Sequence, residues 1–131
     1  MQIDLPWPPS LNHYWRHLSR GKLAGRTLIS EQGREYRDEV SHAVLSQIGN
    51  RTLPLNGRLK VWIRAYPPDR RRRDIDNLPK AIFDALTHAR IWPDDSNIDW
   101  MLVERCDVCA GGRISIAISH VEGALSAIAR A

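Results

Sequence analysis

Residues 59–66, Leu-Lys-Val-Trp-Ile-Arg-Ala-Tyr, alternate without a break and then run into Pro67-Pro68. Leu59, Val61, Ile63 and Ala65 fall on one side, and Lys60, Trp62, Arg64 and Tyr66 on the other. Successive side chains of a strand point to opposite faces, so this stretch reads as a half-buried strand. The paired prolines cannot continue its ladder. Whatever the chain folds into therefore contains a sheet with one covered face. The second face is left to solvent, to a dimer interface or to nucleic acid.

Helices can cover the first face. Ser30 is a suitable N-cap, Glu31 suits a first turn, and Tyr36, Val40, Ala43, Val44 and Ile48 recur at helical spacing up to Gly49-Asn50. Asn77 or Asp76 can cap a second helix with Pro79 in its first turn and Leu78, Ile82, Ala85 and Leu86 as its apolar stripe. That helix ends before Trp92-Pro93. Residues 2–6 read as a short strand, and strands are expected at about 98–108 and 113–119, with Gly111-Gly112 as the hairpin turn between them. The expectation is an α+β fold, a small mixed or antiparallel sheet with helices packed on it. At 131 residues the chain is read as one domain, with 121–131 a weak helix or frayed tail.

Chemistry concentrates where the central strand ends. Asp69 is followed by four arginines, Arg70, Arg71, Arg72 and Arg73, and these run directly into Asp74-Ile75-Asp76-Asn77. In extended backbone the carboxylates at 74 and 76 share a face and repel each other unless a cation lies between them. Oxygen ligands of this kind suit Mg²⁺ or Mn²⁺. Asp94-Asp95 supplies a second acidic site beyond the helix, and Asp95 joins the first if the next strand runs back beside the first strand. Lys80, four residues after Asp76, projects from the first turn of the helix toward the carboxylates. An ammonium there can stabilise charge on an attacked phosphate. The arginines offset the repulsion between an acidic site and a phosphate backbone. Arg16, Arg20, Lys22 and Arg26 form a second basic stretch, the other candidate DNA-binding group, and residues 18–29 read as a basic hairpin or loop. The net charge of +4 agrees with an anionic partner without requiring one.

Each motif also has an ordinary structural reading. An Asp-x-Asp pair can be solvated, an arginine run can be a charged face, Asp94-Asp95 can be only a turn, and Lys80 can pair with Asp84 at i+4. Tyr14, Trp15 and Arg16 can stack on bases or simply pack the core. Cys106-x-x-Cys109 has no second pair of ligands to build a zinc site and reads as reduced thiols. No apolar run reaches a membrane span, and residues 1–6 lack a signal-peptide pattern, so a cytoplasmic protein without membrane attachment is expected.

Taken together, these blocks resemble the RusA family of Holliday-junction resolvases. Leu5-Pro6-Trp7-Pro8-Pro9-Ser10 with Asn12 and Tyr14 resembles the family's N-terminal motif. Pro68-Asp69 through Leu78 resembles its central signature, continued by Lys80-Ala81 and Phe83-Asp84-Ala85-Leu86. Trp92 with Asp94-Asp95 resembles the third block, and Gly111-Gly112-Arg113 the last hairpin. The resemblance implies a homodimeric endonuclease that cuts four-way branched DNA symmetrically with Mg²⁺, Mn²⁺ substituting, and with no small-molecule cofactor. It implies catalytic and metal-holding roles for Asp74, Asp76 and Asp95, a catalytic role for Lys80, and DNA contacts from Arg70 to Arg73. Residues 17–28 are longer than in the family pattern, and the Cys-x-x-Cys lies outside it. A nuclease for flaps or forks and a non-catalytic junction-binding protein are the rival readings. Three aspartates beside phosphate would only weaken a pure binder.

Overall fold

A computed structural model of the chain describes residues 1–22, 24–49 and 53–121. The expected tail, apart from Val121, and Asn50 of the helix-ending pair lie outside the described residues. The order is β1 (Gln2–Leu5), α1 (Leu11–Tyr14), β2 (Trp15–His17), β3 (Thr27–Ile29), α2 (Glu31–Ile48), β4 (Leu59–Tyr66), α3 (Leu78–His88), β5 (Ile98–Arg105) and β6 (Arg113–His120). Short 3₁₀ turns at Ile75–Asn77 and Asp95–Asn97 bracket α3.

The alternating strand is β4, and it is central. The four-stranded sheet runs β1-β6-β4-β5, with β4 antiparallel to β6 and parallel to β5. Leu59, Val61, Ile63 and Ala65 are buried, as the period-two pattern requires. Ile114, Ile116 and Ile118 of β6 and Ile3 and Leu5 of β1 line the same face. Each fully buried side chain of this size contributes about 1.5–3 kcal/mol relative to exposure. The mixed sheet with helices on one face agrees with the α+β expectation.

The expected hairpin between β5 and β6 does not form. β4 lies between them. α3 is a crossover that lays β5 parallel to β4. The pairing then continues past β5, with the Cys106 N–H donating to Ala65 O at 2.8 Å and the Cys109 N–H to Pro67 O at 2.9 Å. The chain next passes across the end of β4 and returns as β6 on the other side. Gly111 and Gly112 make that turn at φ +80° and +74°. A Cβ on Gly112 would stand 2.7 Å from Trp7 Cβ and 3.1 Å from Pro68 Cδ, so the crossing fits only a glycine. Both thiols remain free, and the backbone of the Cys-x-x-Cys serves sheet pairing.

The helices form as the sequence indicates. The Ser30 hydroxyl accepts from the Gly33 N–H at 3.0 Å and donates to Tyr14 O at 2.9 Å, which caps α2 and ties it to α1. Tyr36, Val40, Val44 and Ile48 are the buried stripe of α2. Trp92, fully buried after α3, stands edge-on to Phe83 and donates from Nε1 to Thr87 Oγ1 at 2.7 Å.

One polar network joins all three helices. Tyr14 Oη donates to Asp84, and Arg37 meets the same carboxylate through Nε at 2.9 Å and Nη2 at 2.8 Å. Asp84 is thereby taken by α1 and α2, and its i−4 neighbour Lys80 is left exposed. Burial and the Asp84 hydrogen bond raise the Tyr14 phenol well above its ordinary value, so it acts only as a donor. Asp84→Ala should destabilise the fold by about 2 kcal/mol, because it strands one buried hydroxyl and one half-buried guanidinium. Chemical denaturation of the variant against wild type measures the loss.

Candidate active site

The end of β4 determines the site. Pro67 and Pro68 release the chain from the ladder, and Asp69 then gathers the arginine run. Its carboxylate accepts from the Arg71 N–H at 2.9 Å and pairs with Arg73 Nη1 at 2.8 Å. The Arg73 hydrogen bond, with the Arg71 amide second, holds the Asp69 carboxyl below its usual value. Arg73 also donates to the carbonyl of Asp69 at 3.1 Å and lies over the Trp7 ring at 5.6 Å. Arg105 donates to the carbonyl of Arg73. The run therefore divides. Arg73 is half-buried and holds the loop together, whereas Arg70, Arg71 and Arg72 face solvent. Of the four arginines expected to contact DNA, Arg73 is the one engaged within the loop.

Asp74 follows with φ −86° and ψ 125°, an extended residue, but the alternation stops there. Ile75–Asn77 is a 3₁₀ turn, closed by the Asn77 N–H on Asp74 O at 3.3 Å. The i, i+2 argument for a shared face of Asp74 and Asp76 is corrected by this turn. Three-residue periodicity groups Asp74 with Asn77 instead. Those two side chains, with Arg72, Trp7, Pro8 and Asn12, line an open cleft of about 390 Å³ between the N-terminal segment and the start of α3. Asp76 and Lys80 are exposed just outside it, on the turn and on the first turn of α3.

Asp95 is not brought to Asp74 and Asp76 within the chain. The sequence argument needed β5 to run back toward the end of β4. β5 instead runs parallel, so residues that precede it lie at the start of β4. Asn97 Nδ2 donates to Gly57 O at 2.9 Å, and Arg58 Nη2 donates to Ser96 O at 2.7 Å. Asp95 thus stands at the far end of the crossover, separated from Asp74 by the length of an eight-residue strand, about 23 Å. Asp94 caps the turn by accepting from the Ser96 N–H at 3.1 Å, and the Ser96 side chain first and this amide second lower its carboxyl.

Seven aspartates around α3 and the ends of β4 and β5 divide into two groups. Asp69, Asp84, Asp94 and Asp99 are engaged by arginines, a tyrosine or a backbone amide. Asp74, Asp76 and Asp95 are exposed, and no hydrogen-bond or ion-pair partner meets their side chains among the described residues. No three or more His, Cys, Asp and Glu side chains gather as a metal site among the described residues. Asp74 and Asp76 nevertheless fit a hard divalent cation, because Mg²⁺ commonly takes one or two carboxylates and fills its remaining positions with water and substrate phosphate.

Arg16, Arg20, Lys22 and Arg26 are all exposed on the β2–β3 hairpin, which pairs Trp15 with Ile29 and His17 with Thr27. The hairpin leaves from α1, whose Leu11 and Asn12 line the cleft. Tyr14 is core, and Trp15 stands edge-on to it at 4.9 Å. Three cleft residues carry no site role in the sequence reading. Asn77 appears there as a helix cap and within the central block, and Trp7 and Asn12 appear only within the N-terminal block of the resemblance. No described helix is long and apolar enough to cross a membrane.

A family model described as "Endodeoxyribonuclease RusA" matches residues 6–119 of this chain. The crossover junction endodeoxyribonuclease RusA of Shigella sonnei (strain Ss046) is 43% identical over 119 residues, covering 91% of this chain and 93% of the relative. The protein of that name in Escherichia coli (strain K12) is 42% identical over the same coverage. The one from Enterobacteria phage 82 is 43% identical.

Proposed function

The chain belongs to the RusA endodeoxyribonuclease family, and from that premise we propose that it is a crossover junction endodeoxyribonuclease that hydrolyses phosphodiesters of four-way DNA as a Mg²⁺-dependent homodimer. The observation that carries the mechanism is the pair of unpartnered carboxylates, Asp74 and Asp76, directly after exposed arginines. Such a pair is electrostatically costly beside DNA unless a cation joins it.

Asp74 and Asp76 would hold Mg²⁺ or Mn²⁺, which supplies Lewis-acid activation of water and of the scissile phosphate. The chain's own groups do the rest. Arg70, Arg71 and Arg72 neutralise the phosphates that approach the cleft. The cations of the β2–β3 hairpin extend that contact along the backbone. Lys80 places an ammonium beside the turn, where it stabilises charge on the non-bridging oxygens as the phosphate is attacked. Trp7 and Asp69 fix Arg73 and hold the loop so that the turn presents Asp74 rigidly. Two symmetry-related phosphates of a four-way junction require two symmetry-related sites, which a two-fold dimer provides. A DNA substrate supports action in the cytoplasm.

Asp74→Asn should lower junction cleavage by about a hundredfold or more, with junction affinity retained or increased. Single-turnover cleavage and gel-shift titration in Mg²⁺ check this, and near-wild-type cutting would remove Asp74 from the site. Lys80→Ala should slow cleavage by a similar factor and change affinity little. Parallel losses in both assays would make Lys80 a DNA contact only. Replacing Arg70 and Arg72 by alanine should flatten the dependence of log affinity on log salt by about two. A slope equal to wild type would take both off the DNA surface. Matched junction, fork and linear duplexes separate a junction resolvase from a nuclease for other branches.

A further inference from the structure

Asn77 stands where a helix cap belongs, and it does not cap. It immediately precedes α3, yet its side chain accepts no amide of the first turn, and its φ of −83° and ψ of −15° are helical. A capping residue has extended dihedrals, which bring its side chain back over the start of the helix. Asn77 is exposed, and no described residue bonds to its carboxamide. The start of α3 therefore gives no reason for an asparagine at this position.

Its relation to Asp74 does give one. The 3₁₀ turn puts residues 74 and 77 on one face, and both line the cleft. From the other side, α1 contributes Asn12, which is also exposed and has no side-chain partner among the described residues. Trp7, Pro8, Leu11 and Leu78 make the rest of the lining largely apolar. Two neutral carboxamides, one from each side, thus share the cleft with a carboxylate. At about 390 Å³ the space is large enough for part of a substrate rather than for a single ion.

That lining has a chemical counterpart in one nucleotide of a DNA strand. Its phosphate oxygens only accept hydrogen bonds, and its sugar presents carbon-rich faces. A side-chain amide donates to such an oxygen without adding charge. A lysine or arginine in the same place would be drawn to Asp74 and would compete with a cation there. The geometry points to Asn77 as a further catalytic residue: its Nδ2 donates to a non-bridging oxygen of the phosphate attacked beside Asp74, and Asn12 holds the adjoining part of the same strand from the other side. This rests on the nuclease reading. Water forms the new P–O bond, the sugar oxygen leaves, and Asn77 exchanges no proton. Negative charge grows on the non-bridging oxygens during attack, so a donor already in place binds the transition state more strongly than the ground state. Lys80 supplies charge from outside the cleft, whereas Asn77 supplies a directed bond within it.

The test pairs a variant with a matching change in the substrate. Single-turnover cleavage of a four-way junction is measured in Mn²⁺, which accepts sulfur as a ligand, with sulfur replacing one or the other non-bridging oxygen of the scissile phosphate. Sulfur accepts hydrogen bonds poorly, so the correct replacement deletes the Asn77 contact from the DNA side. Asn77→Ala should slow cleavage of the unmodified junction by about a hundredfold, with junction affinity near that of wild type. One sulfur diastereomer should slow wild type by about tenfold or more and slow Asn77→Ala hardly further, as expected of two changes that remove one bond. Equal slowing of both proteins by both diastereomers overturns the contact. Mn²⁺ binding by Asn77→Ala, read by electron paramagnetic resonance without DNA, should match wild type, and its loss would assign Asn77 to the carboxylates instead of the phosphate. Asn12→Ala should weaken junction affinity and keep the rate at saturation, and unchanged affinity removes Asn12 from the strand contact. Neither carboxamide meets another described side chain, so both variants should unfold at the wild-type denaturant midpoint, and a clear drop would make the residue structural. A wild type that binds junctions but cuts no branched DNA overturns the nuclease reading instead, whatever the variants do.

Discussion

β4 is hydrogen-bonded along both edges, antiparallel to β6 and parallel to β5, and the rest of the molecule follows from how it ends. Pro67 has no N–H to donate, so regular pairing ends there, and its carbonyl accepts the last bond, from the Cys109 N–H. The segment that leaves is short and crowded. Trp7 fills the space beside it, Gly112 lets the returning chain pass within contact of Trp7 and Pro68, and Arg73 turns back on Asp69. These contacts come from three distant parts of the sequence. Together they convert a loop after a strand into a fixed support for Asp74 and the turn that follows.

The charge arrangement at that support is a balance of opposed terms. Asp74 and Asp76 are exposed carboxylates two positions apart in the chain, and like charges drawn together at a phosphate backbone repel unless a cation lies between them. The neighbouring arginines relieve little of this internally. Arg73 is spent on Asp69, and Arg70 and Arg72 point outward. The site is left with local negative charge inside a positive surround. That pattern draws a phosphate backbone toward the turn and leaves the carboxylates without an intramolecular cation.

Much of the fold was legible because its signals are local. The alternation of β4, the Ser30 cap and stripe of α2, the stripe of α3 and the isoleucines of β6 all follow from residues a few positions apart. Sheet order was not legible. Gly111-Gly112 is a correct turn signal, yet no local pattern states that β4 lies between the strands it joins. The candidate site divides in the same way. The acidic and basic composition around Asp74 could be read directly, while the i, i+2 face argument failed because the backbone changes to a 3₁₀ turn at Ile75. Asn77, Trp7 and Asn12 received no site role because their part in the cleft depends on tertiary proximity. Arg73 looked identical to its neighbours in sequence, and only the position of Asp69 and Trp7 distinguishes it.

The parallel pairing of β4 and β5 carries the largest consequence. Had β5 been antiparallel to β4, Asp95 would have returned to the end of β4, and one chain would have held all three aspartates. A parallel crossover places them at opposite ends. It also puts β5 at the edge of the sheet, with its apolar middle open on both faces. A single topological choice therefore produces a divided acidic set and an unprotected strand.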